Sequence, residues 1–382
     1  MFKWQSDVYI NLKNQFKCDI IENMNKEFIP YLDNIERILS NALPLMISGK
    51  WVKDNFGSLE NVTAEDFSPL VKPTKSLIQL GGKRWRPLML VLCAQAYCQK
   101  NSTINIDVEQ LAYSVTPLVE FVHTASLIHD DIEDSSDTRR GKPAAYITYG
   151  VDVAINAGSW LYFDATVCID SLNVSAEIKN QLYKVWANEL RRLHLGQAMD
   201  ISWHRNKNVR PTVDQYLTMV RCKTGTLASL AAKIGMTIAG ASEDECNRSG
   251  AIAADIGAGF QIIDDVINLT TGNPGKKRGD DIVERKKSLP VNLFFEKFSY
   301  SHIDKSAALL ECFEKAHYEG IESSAVEKAI GILEEFDVIN MAKEKGIELI
   351  NTGLEQLESL LGSGKYTDLL KNLFKGMVPS DA

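Results

Sequence analysis

Residues 252–269 read IAADIGAGFQIIDDVINL. Ile252, Ile256, Phe260, Ile263 and Ile267 recur at steps of four, four, three and four, so they lie on one face of a helix. Two carboxylates, Asp264 and Asp265, interrupt that stripe, with Asn268 on the same face and Gln261 one turn earlier. A second stripe, Leu111, Val115, Leu118, Val122 and Ala125, runs into LIHDDIED, Leu127 to Asp134. Alternating strand-like runs are nearly absent. Turn-rich breaks fall near Asp54–Glu65, Lys100–Asp107, Ser135–Pro143, His204–Thr212, Thr271–Gly279 and Gly320–Ser324. The pattern predicts an all-α protein, with helices of ordinary length joined by short loops.

The length of 382 residues corresponds to about 2.5 domains at roughly 150 residues each. Hydrophobic residues at 45% and charged residues at 24% are those of a folded chain and exclude disorder for its bulk. The balance of 42 Lys+Arg against 50 Asp+Glu, a net charge of −8, disfavours a nucleic-acid partner. Taken alone it also disfavours polyanions. Met1 to Ile10, MFKWQSDVYI, lacks the charged and apolar regions of a signal peptide. No run reaches the ~18 apolar residues of a membrane span. The seven cysteines are scattered and form no CxxC pair, which fits a reducing cytoplasmic location. No fixed repeat is present, and the first 45 residues read as a helical N-terminal extension carrying no recognisable chemistry.

Chemistry concentrates at the acidic interruptions. Asp130 and Asp134 are four apart and share a helix face, with Asp131 alongside. Carboxylates this close repel one another, and water or a cation must relieve the cost. Hard oxygen ligands suit Mg²⁺, which takes one or two carboxylates and completes its shell with water and phosphate oxygens. A solvated acidic turn is the plainer reading of a single DDxxD. Two acidic pairs, each ending an apolar stripe, point instead to carboxylate patches facing a shared cavity. The cations cluster too, in Gly81-Gly82-Lys83-Arg84-Trp85-Arg86-Pro87, Arg139-Arg140-Gly141-Lys142-Pro143, Lys223-Thr224-Gly225 and Lys276-Lys277-Arg278-Gly279. Glycine permits close backbone approach, and arginine offers a planar fork to phosphate oxygens. Acidic patches for Mg²⁺ with cations around them describe a diphosphate site. Neither GxxxxGK[ST] nor GxGxxG after a strand occurs, so nucleotide folds are not supported.

From about Leu70 to Pro290 the motifs follow one another in an order that resembles the trans-isoprenyl diphosphate synthases, or polyprenyl synthetases. They are GGKRWRP, HTASLIHDDIED with RRGKP, GQAMDISW, CKTG, FQIIDDVIN and KRGDDIVERKKSLP. The resemblance implies a single large helical bundle of the isoprenoid synthase type, residues 46–382, with a central cavity between the two aspartate motifs. It also implies a homodimer. By position it makes Asp130, Asp131, Asp134, Asp264 and Asp265 ligands of Mg²⁺. Arg139, Lys223, Gln261 and Lys277 fall at the allylic diphosphate, and Lys83, Arg86, His123 and Arg140 at isopentenyl diphosphate. Thr224 falls at the reacting ends of the substrates, and His123 reads as a phosphate hydrogen-bond donor rather than a base. His129 has no such role and reads as a packed histidine. The implied reaction is ionisation of the allylic diphosphate, condensation with isopentenyl diphosphate and loss of a proton to the released diphosphate.

Three departures stand out: Asn268 ends the second acidic motif in place of aspartate, Arg285 replaces the glycine of the family's EGK segment, and the C-terminus GMVPSDA lacks basic residues. DDIED paired with DDxxN, and INAGSWLYF at Ile155–Phe163, resemble eukaryotic-type geranylgeranyl diphosphate synthases. Ser126 and Ala125, four and five residues before Asp130, are small and leave room for a geranylgeranyl or longer product. Val122 and Leu118, with Phe121 beside them, are candidate floor residues, for which plain core packing is the equal alternative. A terpene cyclase would share DDxxD and Mg²⁺ but needs no isopentenyl diphosphate motif. A non-catalytic regulatory subunit of a prenyl synthase would tend to lose an acidic motif. With metals bound, a protein of net charge −8 is suited to substrates more acidic than itself.

Overall fold

A computed structural model describes residues 26–102, 106–272 and 277–377. The rest, including the start of the N-terminal extension and Lys276, lie outside the described residues. The chain is all-α apart from one two-stranded hairpin among the described residues. It forms two compact units. One holds the residues up to Lys184 together with Ile234–Ala241, and the other holds Val185–Lys233 and Ser242 onward.

The first unit contains helices α1 (Ile29–Ala42), α2 (Ser68–Gln79), α3 (Trp85–Lys100) and α4 (Pro117–Glu133). The hairpin β1 (Thr138–Arg139) and β2 (Lys142–Pro143) and helix α5 (Val151–Asp164) follow. Leu88, Met89, Leu90, Val91, Leu92, Cys93 and Ala94 of α3 have no exposed surface, so this stretch is enclosed on every face. The segment Ile234–Ala241 packs on it, so closely that a β-carbon on Gly235 would lie 2.4 Å from the Leu90 carbonyl oxygen. The stripe Leu111–Ala125 does not run as one uninterrupted helix. Pro117, which has no N–H, starts α4 afresh after Ser114 ends the preceding helix. Val115, Leu118, Val122 and Ala125 are buried as the spacing predicts. The stretch Asp107–Glu133 is long and apolar enough to cross a membrane, but 72% of its most apolar window is buried within the protein, as in a core helix.

The second unit contains α6 (Ala176–Arg205) from Val185 on, α7 (Val213–Val220), a π turn (Arg221–Gly225) and α8 (Thr226–Ile238) through Lys233. Helices α9 (Glu243–Leu269), α10 (Leu289–Phe298), α11 (Ile303–Glu319), α12 (Ser324–Glu335), α13 (Val338–Leu361) and α14 (Lys365–Lys375) follow. Both α7 and α9 open on capping boxes, Thr212 with Gln215 and Ser242 with Glu245. Helix α9 is enclosed on more faces than its isoleucine stripe suggests. Ile256 and Ile263 are buried, but so are Ala253, Ala254, Gly257, Ala258, Ile262 and Val266. Small residues let neighbouring backbones approach it. The cysteines among the described residues, Cys93, Cys98, Cys168, Cys222, Cys246 and Cys312, are free thiols.

Candidate active site

In the first unit, α4 delivers Asp130 and Asp131 at its C-terminal end, where the helix macrodipole is negative and carboxylates are unfavourable without a cation. Asp134 caps that end, its N–H donating to the Asp130 carbonyl at 2.9 Å. Ser135–Pro143, a plain turn-rich break by its sequence, is in part a hairpin. Arg140 and Gly141 form its turn, both at positive φ (52° and 72°), a geometry that matches the twist of paired strands. The hairpin folds Arg139 back onto α4. Its Nε donates to Asp131 Oδ1 at 2.7 Å, its Nη2 donates to the same oxygen, and Nη2 lies 3.5 Å from Asp130 Oδ2. One cation is thus already shared by both carboxylates. Among the described residues no group of three or more His, Cys, Asp or Glu could hold a metal, but Mg²⁺ needs only one or two protein carboxylates. The pair Asp130 and Asp131 therefore fits it.

The three cations of GGKRWRP part company. Arg84, at φ 47° and only 4% exposed, is an internal anchor. Its Nε donates to Glu36 Oε1, Nη1 to Glu120 Oε1 and Nη2 to the Ile78 carbonyl, each at 2.6 Å. Lys83 is exposed beside it. Arg86 lies over the Trp85 ring at 4.3 Å, and its Nη1 is 3.4 Å from His123 Nε2. A guanidinium only donates, so Nε2 accepts and the neutral ring carries its proton on Nδ1. That Nδ1 is buried with no hydrogen-bond partner. Burial first, then Arg86, Arg140, Arg84 and Arg139, hold the His123 pKa well below its ordinary value. Arg140 packs over Gly82, where a β-carbon would come 2.9 Å from its Nη2. Burial, together with Arg84 and Arg139, pushes its pKa down to about 10, against the pull of Glu120. Arg86, Arg140 and neutral His123 thus bring donors and positive charge to one neighbourhood.

The remaining first-unit residues lie along α4. Leu118, Phe121, Val122 and Ala125 are buried, while Ser126 is half-buried and donates to the His123 carbonyl at 2.8 Å. His129 is packed, as expected. Its Nδ1 donates to the Ala125 carbonyl at 2.9 Å, its Nε2 is 3.3 Å from Ser159 Oγ, and its ring stacks on Tyr162.

In the second unit the π turn presents Lys223 and Thr224. Glycines let it sit tightly against two helices: a β-carbon on Gly196 of α6 would lie 2.3 Å from the Lys223 nitrogen, and one on Gly225 would lie 2.5 Å from the Ala254 carbonyl of α9. Lys223 Nζ pairs with Asp200 Oδ2 at 2.6 Å. Burial would raise the Asp200 pKa, but Lys223 and Lys286 outweigh it and hold it below the ordinary value. Thr224 Oγ1 donates to Gln261 Oε1 at 2.9 Å, and Gln261 Nε2 donates to Asp265 Oδ1 at 3.0 Å. Tyr216 donates to Asp265 Oδ2 at 2.6 Å. Despite both bonds, burial pushes the Asp265 pKa up to about 6, with Asp264 adding repulsion. Asp281 is pushed well above the carboxylate range by burial, with Asp265, Glu284 and Asp264 adding and Lys286 opposing. This excess of buried acid is the chemistry of a cation site, so the second acidic group also fits Mg²⁺.

Asn268 turns its Oδ1 to the Asp281 backbone N–H at 3.2 Å, so it holds the following loop. Lys277 does not join these contacts, being exposed and paired with Glu322. Asp200, Tyr216, Asp281 and Lys286 also belong to this group, and the sequence does not single them out. GQAMDISW and KRGDDIVERKKSLP contained three of them, but no spacing marked which of their charges are buried. Nothing in the sequence marked Tyr216.

The polyprenyl synthetase family model matches residues 68–329. The geranylgeranyl diphosphate synthase of Methanosarcina mazei is 34% identical over 304 residues, covering 79% of this chain and 87% of that protein. The geranylfarnesyl diphosphate synthase of Natronomonas pharaonis is 30% identical over 318 residues, covering 78% and 89%. Among solved structures, geranylgeranyl pyrophosphate synthetase from Pyrococcus horikoshii Ot3 superposes with a TM-score of 0.76 at 27% identity, covering 97% of this chain and 98% of that one.

Proposed function

The chain belongs to the polyprenyl synthetase family and is a prenyltransferase, and from that premise we propose that it joins isopentenyl diphosphate head-to-tail to an allylic diphosphate in an Mg²⁺-dependent reaction. The product is a geranylgeranyl or longer all-trans prenyl diphosphate, and diphosphate is released. The observation that carries the reading is the donor neighbourhood of the first unit. Half-buried Arg140 and the buried His123 Nδ1–H are donors with no acceptor among the described residues, close to a carboxylate pair that shares one cation. A diphosphate supplies the acceptors that these donors lack.

Bound Mg²⁺ supplies electrostatic stabilisation of the departing diphosphate. Asp130, Asp131 and Asp134, and Asp264 with Asp265, would hold it. Lys83, Arg86, Arg140 and the His123 N–H bind and orient isopentenyl diphosphate. Lys223, Arg139 and Gln261 engage the allylic diphosphate, and Thr224 lies at the reacting ends. Neutral His123 donates through Nδ1 while Arg86 engages Nε2, so it orients phosphate and leaves the final proton to the released diphosphate. A cyclase would have no use for the Lys83–Arg86 neighbourhood. The expected assembly is a homodimer, which light scattering would test.

Purified protein should release diphosphate when given Mg²⁺, isopentenyl diphosphate and an allylic primer of five, ten or fifteen carbons. Absence of release with every primer would refute the reading. For chain length, Ala125→Phe should shorten the product. Overpacking this buried site should also destabilise the fold by about 1–3 kcal/mol. Ser126→Phe, from the half-buried neighbour, should shorten it with less strain. Product length unchanged on chromatography in both variants would show that this wall is not the ruler.

A further inference from the structure

We propose a second oxyanion site in the second unit, built by Arg285, Lys287 and Arg210 and suited to inorganic phosphate or diphosphate. Lys287 is 6% exposed, and its ammonium makes no hydrogen bond or ion pair with a described residue. It faces the Phe313 ring, with Nζ 5.5 Å from the centroid. Isolated buried ammonium groups are costly, and a ring face offsets only part of that cost. Two further cations, Arg285 and Arg210, act on it electrostatically. Arg285 reaches Glu314 through Nη1 at 3.4 Å, while its Nε is buried without a hydrogen-bond partner. Arg210, exposed, stands over the Phe295 ring at 4.8 Å.

The local charge is three cations against Glu314. Burial lowers the Lys287 pKa, Arg285 and Arg210 lower it further, and Glu314 offsets them in part. Arg210 is exposed, Arg285 is half-buried and Lys287 is buried. Arg285 also sits at φ 58°, where glycine is the relaxed choice, so an arginine is held there at a conformational cost. A bound oxyanion would satisfy Arg285 Nε and Lys287 Nζ together, and a planar guanidinium beside an ammonium matches phosphate geometry. The site uses none of the residues assigned to the reaction and is independent of it.

Calorimetric titration of metal-free protein with inorganic diphosphate tests this. The number of diphosphates bound should fall by one in Lys287→Gln and in Arg285→Gly. Any residual binding there should be about tenfold weaker or worse. Arg140→Gln should remove a different binding event and keep this one. Arg285→Gly should fold, because glycine suits a positive φ, so the test survives if Lys287→Gln does not fold. In crystals soaked with selenate, an anomalous peak should appear within hydrogen-bonding distance of Arg285 Nε and Lys287 Nζ. Equal stoichiometry in wild type and Arg285→Gly, or no peak at these atoms, would overturn the proposal.

Discussion

An Asp131→Asn variant should lose about 10³-fold or more in kcat/KM, with a higher Mg²⁺ concentration needed for half-maximal rate. The substitution keeps the side chain's shape and removes its charge. Asp131 is 1% exposed and receives two donors from Arg139, whose remaining carboxylate contact is Asp130 at 3.5 Å. The loss should therefore be twofold in kind: a ligand charge disappears, and the guanidinium that restrains the hairpin is released from its main partner. Rates measured across an Mg²⁺ series separate the two. A raised Mg²⁺ requirement reports the ligand, and a deficit persisting at saturating Mg²⁺ reports the displaced Arg139. Near wild-type rates at all Mg²⁺ concentrations would show that Asp131 does not serve the metal. Asp265→Asn should behave similarly, because its charge is held in place by Tyr216 and Gln261.

The largest effect on stability is expected at Asp164, near the end of α5. This carboxyl is 5% exposed, its Oδ1 has no hydrogen-bond partner, and burial pushes its pKa up to about 8. In the unfolded chain it would titrate near 3.8. Between those two values the folded state holds a proton that the unfolded state has released, so stability falls as pH rises through that window and levels off above about 8. A neutral asparagine at this position removes the penalty. Asp164→Asn should match the wild type near pH 4 and exceed it at pH 8 by up to about 3–6 kcal/mol. Denaturant unfolding at a series of pH values measures this directly. Parallel stability curves for the two proteins would show that Asp164 is not carrying a buried proton.

Much of this was legible in the sequence because it depends on local spacing. The helical period picks out the buried positions of 117–133, whereas in 252–269 Ile252, Phe260 and Ile267 of the stripe are only half-buried and Ala253, Gly257 and Ile262 off it are buried. The acidic pairs stand out because they break the period. The order of the basic motifs carried the family resemblance. What could not be read depends on contacts between distant residues. Arg84 looks like its neighbours Lys83 and Arg86 in sequence, yet Glu36 and Glu120 convert it into an anchor. Arg139 was expected at the allylic substrate, and only the hairpin turn at Arg140-Gly141 reveals that it bridges Asp130 and Asp131. Asn268 ends the second acidic motif in the sequence, and only the fold reveals that its Oδ1 also accepts from the Asp281 backbone N–H. Burial of Asp281 and Asp200 is likewise a property of packing, which no spacing encodes.

The interleaved membership of the two units bears on how the chain acquires its shape during synthesis. Residues 185–233 of the second unit are made before Ile234–Ala241, which packs on α3 of the first. Helix α3 therefore waits in the nascent chain for a surface encoded about 140 residues downstream, well beyond the helices that follow it directly. Through that interval a deeply buried helix of the first unit lacks one of its covers. Exposed apolar surface of this kind is what chaperones bind and what aggregates at high expression. Slowed translation before Ile234–Ala241 has left the ribosome should prolong that exposure, whereas slowing after it has emerged should not.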